Sequence, residues 1–198
     1  RDAQESRGLG DVYKRQDAAQ VRDNLPASAK VSTAIQDGIV LGADNGLAGG
    51  IGTVDSAFAQ LGRIVPIGGN FPAQPDEIAM TTTLLDALGC SYDLGQTITL
   101  KVADNDYDPL SGSGKIVEQT YTLCGVLPAY DVYWNLGSNL TVSAVVAEPL
   151  ALAGQKFQTF YDLNADTVGT ASDDPDFIAN EYALSLIHIS EPTRLLSI

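Results

Sequence analysis

Few residues in this 198-residue chain are of a type and spacing that could do chemistry. Asp104, Asp106 and Asp108 have the alternation of hard oxygen ligands that opens a calcium loop. Pro109 replaces the turn glycine, however, and Lys115 stands where the bidentate glutamate belongs, so the segment reads as a solvated hairpin tip. Gly112–Lys115 (GSGK) lacks the upstream glycine and the Ser/Thr of a phosphate loop. The glycine-rich DNGLAGGIGTV lacks the GxGxxG spacing and reads as a loop. His188 is the single histidine, so a serine has little to activate it and a triad is not expected. Asp and Glu total 25, yet none forms a spaced pair that can be assigned as acid and base. No catalytic, cofactor-binding or metal site is therefore expected. A site using only Asp, Glu, Lys and Tyr stays open.

Two features could serve binding or structure instead. Tyr130, Tyr133 and Trp134 cluster in PAYDVYWN, and aromatic side chains in a polar turn suit either a partner-binding surface or a small core under a loop. Cys90 and Cys124 are the two cysteines. They suit small core positions, and in an exported domain they could also pair. Asn139-Leu140-Thr141 is a sequon, relevant only in a glycosylating host.

The ends of the chain carry a different signal. Ser6–Gln16 reads SRGLGDVYKRQ and Leu184–Arg194 reads LSLIHISEPTR. DVYKRQ can be encoded by GATGTGTATAAGAGACAG, whose reverse complement translates as LSLIHI. SRGLG can be encoded by TCTCGTGGGCTCGGA, whose reverse complement translates as SEPTR. The two ends are thus one DNA sequence read on opposite strands, and that DNA resembles the transposon mosaic-end adapter of sequencing libraries. Residues 1–16 and 184–198 are accordingly expected to be adapter translation and are set aside from fold reasoning. Residues 17–183 are expected to be a fragment of one natural domain, with room for two subdomains, cut at both ends. Setting the ends aside removes His188.

The whole chain has a formal net charge of −14, and residues 17–183 hold 6 Lys and Arg against 21 Asp and Glu. Such a balance argues against nucleic acid and against anionic lipid head groups, both of which need a basic footprint. No run of about eighteen apolar residues is present, so no membrane-crossing helix is expected within the chain.

The elements that would position these residues are mostly strands. DAAQVRDNLPAS is polar, helical or loose. Lys30–Ala43 is β-branched and apolar around Asp37-Gly38 and reads as a hairpin. Asp55 can N-cap a short helix, SAFAQL. IVPIGGNFPAQP is a loop, and DEIAM a short strand. TTTLLDALG is a compact helix with a Thr cap and Gly89 as its stop. LGQTITLKV alternates, placing Ile98, Leu100 and Val102 on one side. With EQTYTLCGVL it forms a long antiparallel hairpin across the acidic loop 104–118, which is expected to project into solvent. Further strands are expected around 140–147 and 158–163, followed by the acidic, turn-like ASDDPDF. The fold class is mixed α/β (α+β), strand-rich, with a few short helices.

Between Leu61 and Asn135 the sequence resembles a family. LGRIVPIGGNFPAQPDEIAMTTTLLDALGCSYDLGQTITL, followed by YTLCGVLPAYDVYW, is similar to the extracytoplasmic domain of FtsX-like ABC transporter permeases, including the MacB-like periplasmic core. The matching positions are Gly62, Arg63, Pro66, Glu77, Ile78, Leu88, Gly89, Leu94, Gly95, Gln96, Ile98, Leu100, Tyr121, Thr122, Gly125 and Val126. Tyr130 and Trp134 resemble the aromatic turn and Trp of some Gram-positive members. The loop between Arg63 and Glu77 is longer than is usual in the family, and the hairpin tip is long and acidic. The resemblance implies an ectodomain on the extracytoplasmic face of a bacterial membrane, with no enzyme activity of its own. The implied partners are the membrane helices of the same permease, a cytoplasmic ABC ATPase subunit that hydrolyses ATP, and a second permease copy. The implied role is recognition of a substrate or partner and mechanical coupling. The alternatives are a secreted or surface-attached β-rich, adhesin-like module, and a carboxylate-based hydrolase.

Overall fold

The computed structural model describes residues 30–134 and 140–162. Eight strands join one mixed sheet: β1 (Lys30–Leu41), β2 (Leu47–Val54), β3 (Gly68–Gly69), β4 (Glu77–Thr81), β5 (Thr97–Ala103), β6 (Ile116–Leu127), β7 (Val142–Val146) and β8 (Lys156–Asp162). Among the described residues three short helices accompany them: α1 (Phe58–Leu61), α2 (Thr82–Leu88) and α3 (Asp131–Trp134). The architecture is the strand-rich α+β class read from the sequence.

The sheet closes on itself. β1 pairs β2 antiparallel, β2 pairs β7 parallel, and β7 pairs β4 antiparallel. β4 pairs β6 parallel, β6 pairs β5 antiparallel, and β5 returns to β1 antiparallel. Six strands thus form a ring, with β3 added to β6 and β8 added to β1. Closure leaves an inside for side chains to fill. Every ring strand sends at least one buried residue there: Val40, Ile51, Met80, Leu100, Leu123 and Ala144 all belong to one core cluster. Leu84 and Leu85 of α2 join the same cluster.

Local sequence explains these elements. In β5, Ile98, Leu100 and Val102 face inward while Thr97, Thr99 and Lys101 are exposed, the period of a half-buried strand. β5 pairs β6 from Thr97↔Thr122 to Ala103↔Ile116, so the long hairpin is present. On its outer face the hydroxyls of Thr99 and Thr120 lie 3.0 Å apart. The Thr81 side chain accepts from the Leu84 N–H at α2's start, and Gly89 ends the helix at φ 67°. The expected strands near 140–147 and 158–163 are β7 and β8.

Other expectations are corrected. Asp37-Gly38 is not a hairpin turn. β1 runs on through it with a register shift between Gln36 and Gly38, a β-bulge, and the chain reverses at residues 42–46 instead. Much of the expected glycine-rich loop is strand β2. Its glycines answer close approach rather than turning: a Cβ on Gly52 would collide with the Ile35 carbonyl. Asp55 is not the N-cap of α1, a place held by Ala57. Its carboxylate instead accepts from the Ser32 hydroxyl (2.7 Å), the Thr33 N–H (2.7 Å) and the Ala57 N–H (3.1 Å), fixing the turn against β1. The acidic loop does not simply project. Asp104, Asn105 and Tyr107 are buried at its base, residues 116–118 belong to β6, and Leu110 marks the exposed tip. The reading of residues 17–28, of the ASDDPDF segment, of Asn139 and of both chain ends falls outside the described residues.

Candidate functional site

A second apolar cluster lies outside the ring, made of Phe58, Ile64, Ala79, Leu127, Tyr130, Val142 and Val145 with Ala34. Tyr130 anchors it. The ring meets Phe58 edge-on at 5.6 Å between centroids, and its hydroxyl donates to the Val142 carbonyl at 2.6 Å. Burial, with the Asp131 charge adding to it, pushes the Tyr130 phenol far up, so the group stays protonated. Beside it, the Thr81 hydroxyl donates to the buried Asp131 carboxylate at 2.9 Å, tying the aromatic turn to the start of α2.

Of the three aromatic residues singled out in the sequence, Tyr130 is therefore a core residue and is withdrawn as a partner contact. Tyr133 and Trp134 fall in α3, one turn further on. Their side chains lie outside the described residues.

The solvent side of this cluster is an open groove of about 330 Å³. Val54 and Asp55 at the end of β2, Ala59 of α1, Phe71-Pro72 of the proline loop and Val145 of β7 line it. The strands explain the opening. β2 and β7 run parallel and are paired from Gly50↔Val142 to Gly52↔Val145, and the groove forms past that pairing. Its walls are mixed, with Ser56 and Asp55 among the apolar side chains, and the Asp55 carboxylate is already held by three donors. Among the described residues the lining holds no acid–base pair, Asp55 being its single titratable residue. Sequence reasoning missed the groove, because three separate segments build it. Phe71 inside the proline loop was the one local hint.

The remaining candidates are structural. Cys90 and Cys124 are free thiols and not bonded to each other. Burial, and secondarily Glu77, pushes the Cys124 thiol up to about 11, which makes it a poor nucleophile at neutral pH. Asp108 is held below its ordinary value by the Ser111 hydroxyl and then the Leu110 N–H, both within its own loop. Asp104 turns one oxygen to the Lys115 N–H at 3.0 Å. Among the described residues no group of three or more His, Cys, Asp or Glu could hold a metal. Among them, too, no helix is long and apolar enough to cross a membrane.

The fold defines a class: a strand-rich α+β domain with a closed mixed sheet and an open outer groove. No family model matches the chain, and no curated protein matches it. Among solved structures the chain is similar to the crystal structure of a domain of a candidate permease protein from Porphyromonas gingivalis. The identity is 12% and the TM-score 0.36, over 83% of this chain and 65% of that one. The chain thus spans less than two thirds of that structure's length. A likeness at this level does not define a function.

Proposed function

We propose that the chain is the extracytoplasmic domain of an FtsX/MacB-like ABC transporter permease. It recognises a substrate or partner on the extracytoplasmic face of a bacterial membrane and couples mechanically to a separate cytoplasmic ATPase. Its partners are the membrane helices of its own permease, that ATPase subunit and a second permease copy. It carries out no catalysis itself.

One observation supports this reading most. The first half of β1 and the whole of β8 pair antiparallel, from Gln36↔Lys156 to Lys30↔Asp162. On its other edge β1 stays paired with β2 as far as Ala34↔Val54, and beyond that point the start of β1 and the end of β8 continue side by side. A domain inserted between two membrane helices needs both its connections on one side, so that motion of the helices reaches the domain through them. A module strung in a series of adhesin-like repeats sits better with connections at opposite poles. Within the family-like segment β3, β4 and β5 all pair with β6.

In the full-length permease the recognition surface is expected to include Tyr133 and Trp134, which follow the buried Tyr130 in α3. Tyr133→Ala and Trp134→Ala are each expected to reduce transport at least severalfold, while shifting thermal unfolding of the domain little. Paired transport and unfolding measurements check this. Lost stability with proportionate loss of transport would assign the pair to packing and remove the recognition role from this turn.

A further inference from the structure

We propose that the open edge of β6 over residues 116–120 is a strand acceptor, taking an extended segment of a partner protein that sets a Lys or Arg beside Glu118. The inference stands on strand register and does not depend on the permease reading.

Along this stretch the ladder is complete on one side only. Toward β5 it runs unbroken from Thr97↔Thr122 to Ala103↔Ile116. On the other side β4 begins late. Its first pair is Glu77↔Thr122, and the Thr122 N–H donates to the Asp76 carbonyl at 2.8 Å. Just upstream the chain turns, where the Ala73 and Gln74 N–H groups donate to the Glu77 carboxylate. Among the described residues no strand lies along β6 on this side over residues 116–120. Backbone groups point alternately to the two sides of a strand. The Leu123 N–H donates to the Gln96 carbonyl and the Asp104 N–H to the Lys115 carbonyl, so the odd-numbered residues between face β5. Ile116, Glu118 and Thr120 therefore turn their N–H and C=O groups to the open side.

An edge of this kind is a template for a further strand. Its side chains say which strand fits. Ile116, Glu118 and Thr120 are exposed on the outer face, while Val117 packs on the rim of the interior cluster. An incoming strand alternates in the same way, with an apolar residue beside Val117 and its polar residues outward. Lys101 faces Glu118 across β5, but the open side is bounded by Asp76 and Glu77. A cation is the complement that side calls for, in a chain of net charge −14. A second copy of this chain is the wrong occupant. Antiparallel pairing of the edge with itself in full overlap sets Glu118 opposite Glu118 of the other copy, and like charges directly opposite destabilise a strand pair. Glu118 thus guards the edge against self-association while selecting a basic strand.

Amide hydrogen exchange of the full 198-residue chain, followed by NMR with and without a synthetic peptide, tests this. The probe alternates valine and threonine around one central lysine, and a matched peptide carries glutamate there instead. With the lysine peptide, exchange at the Ile116, Glu118 and Thr120 N–H groups is expected to slow severalfold. Exchange at Val117 and Gln119, already bonded to β5, should change little. Glu118→Lys is expected to reverse the preference toward the glutamate peptide. Glu118→Pro removes an N–H that only the incoming strand would use, so binding should be lost while thermal unfolding of the chain shifts little. No slowing at the three edge amides, or slowing that survives both substitutions, overturns the proposal. So does an equal response to the two peptides. Self-association of the wild-type chain that protects the same amides also overturns it, because the occupant would then be a second copy. If Glu118→Pro fails to fold, Glu118→Lys decides alone.

Discussion

Leu123→Ala is expected to destabilise the domain by about 2–5 kcal/mol, the range for emptying a fully buried leucine site. Leu123 is wholly buried on β6, and β6 is the strand that β5, β4 and β3 all pair with. Its side chain sits in the interior cluster to which all six ring strands contribute. Strands hydrogen-bonded in a ring cannot easily close around a lost side chain, so the cavity persists and its cost adds to the lost transfer energy. For a domain of this size each kcal/mol lowers the melting temperature by roughly 2–4 °C. Denaturant unfolding beside wild type measures the difference. A loss below about 1 kcal/mol would mean that the ring interior is not the main core.

Tyr130→Ala should cost a similar amount, about 3–5 kcal/mol, by removing a large buried ring. The ring's edge contact with Phe58 and its bond to the Val142 carbonyl both go, and the carbonyl is left buried. Tyr130→Phe separates the two contributions. It keeps the ring and removes the hydroxyl, so it should cost only about 1–3 kcal/mol, the penalty for an unsatisfied buried acceptor. Calorimetry or denaturant unfolding of both variants gives the result. If Tyr130→Ala left stability unchanged yet abolished partner binding, the ring would be a contact residue and its assignment to the core would be wrong.

What the sequence revealed and what it hid divide on physical grounds. The β5–β6 hairpin was legible because Ile98, Leu100 and Val102 alternate with exposed residues in a strand of seven. α2 was legible because both its ends carry their own chemistry, the Thr81 hydroxyl and the left-handed Gly89. Ring closure was not legible. The β2–β7 and β4–β6 pairings are parallel and join segments far apart in the chain, and no local residue pattern marks them. Asp37-Gly38 looked like a turn because Asp-Gly is the strongest short hairpin signal. Here the same pair makes a bulge, and the Asp37 carboxylate accepts from Leu150 and Gln155. Gly50 and Gly52 misled in the same way: their small size admits the Thr141 and Ile35 carbonyls, and composition alone cannot separate that need from flexibility. At the aromatic turn, residue type flagged the right segment but could not tell that Tyr130 faces the core. Burial depends on Phe58 and Val142, which are distant in sequence.

The permease reading is tested most directly by reading the source DNA past both ends of the 198-residue sequence. If residues 1–16 and 184–198 are adapter translation, the same genomic locus, recovered without adapters, will diverge from this chain near residues 17 and 183. The continuous reading frame is then predicted to encode a membrane-crossing helix within some tens of residues upstream. Downstream it should encode several more such helices, with an ABC ATPase gene alongside. A secretion signal followed by tandem copies of the same domain, or by a cell-wall anchor, would contradict the account and assign the chain to a surface-attached binding module.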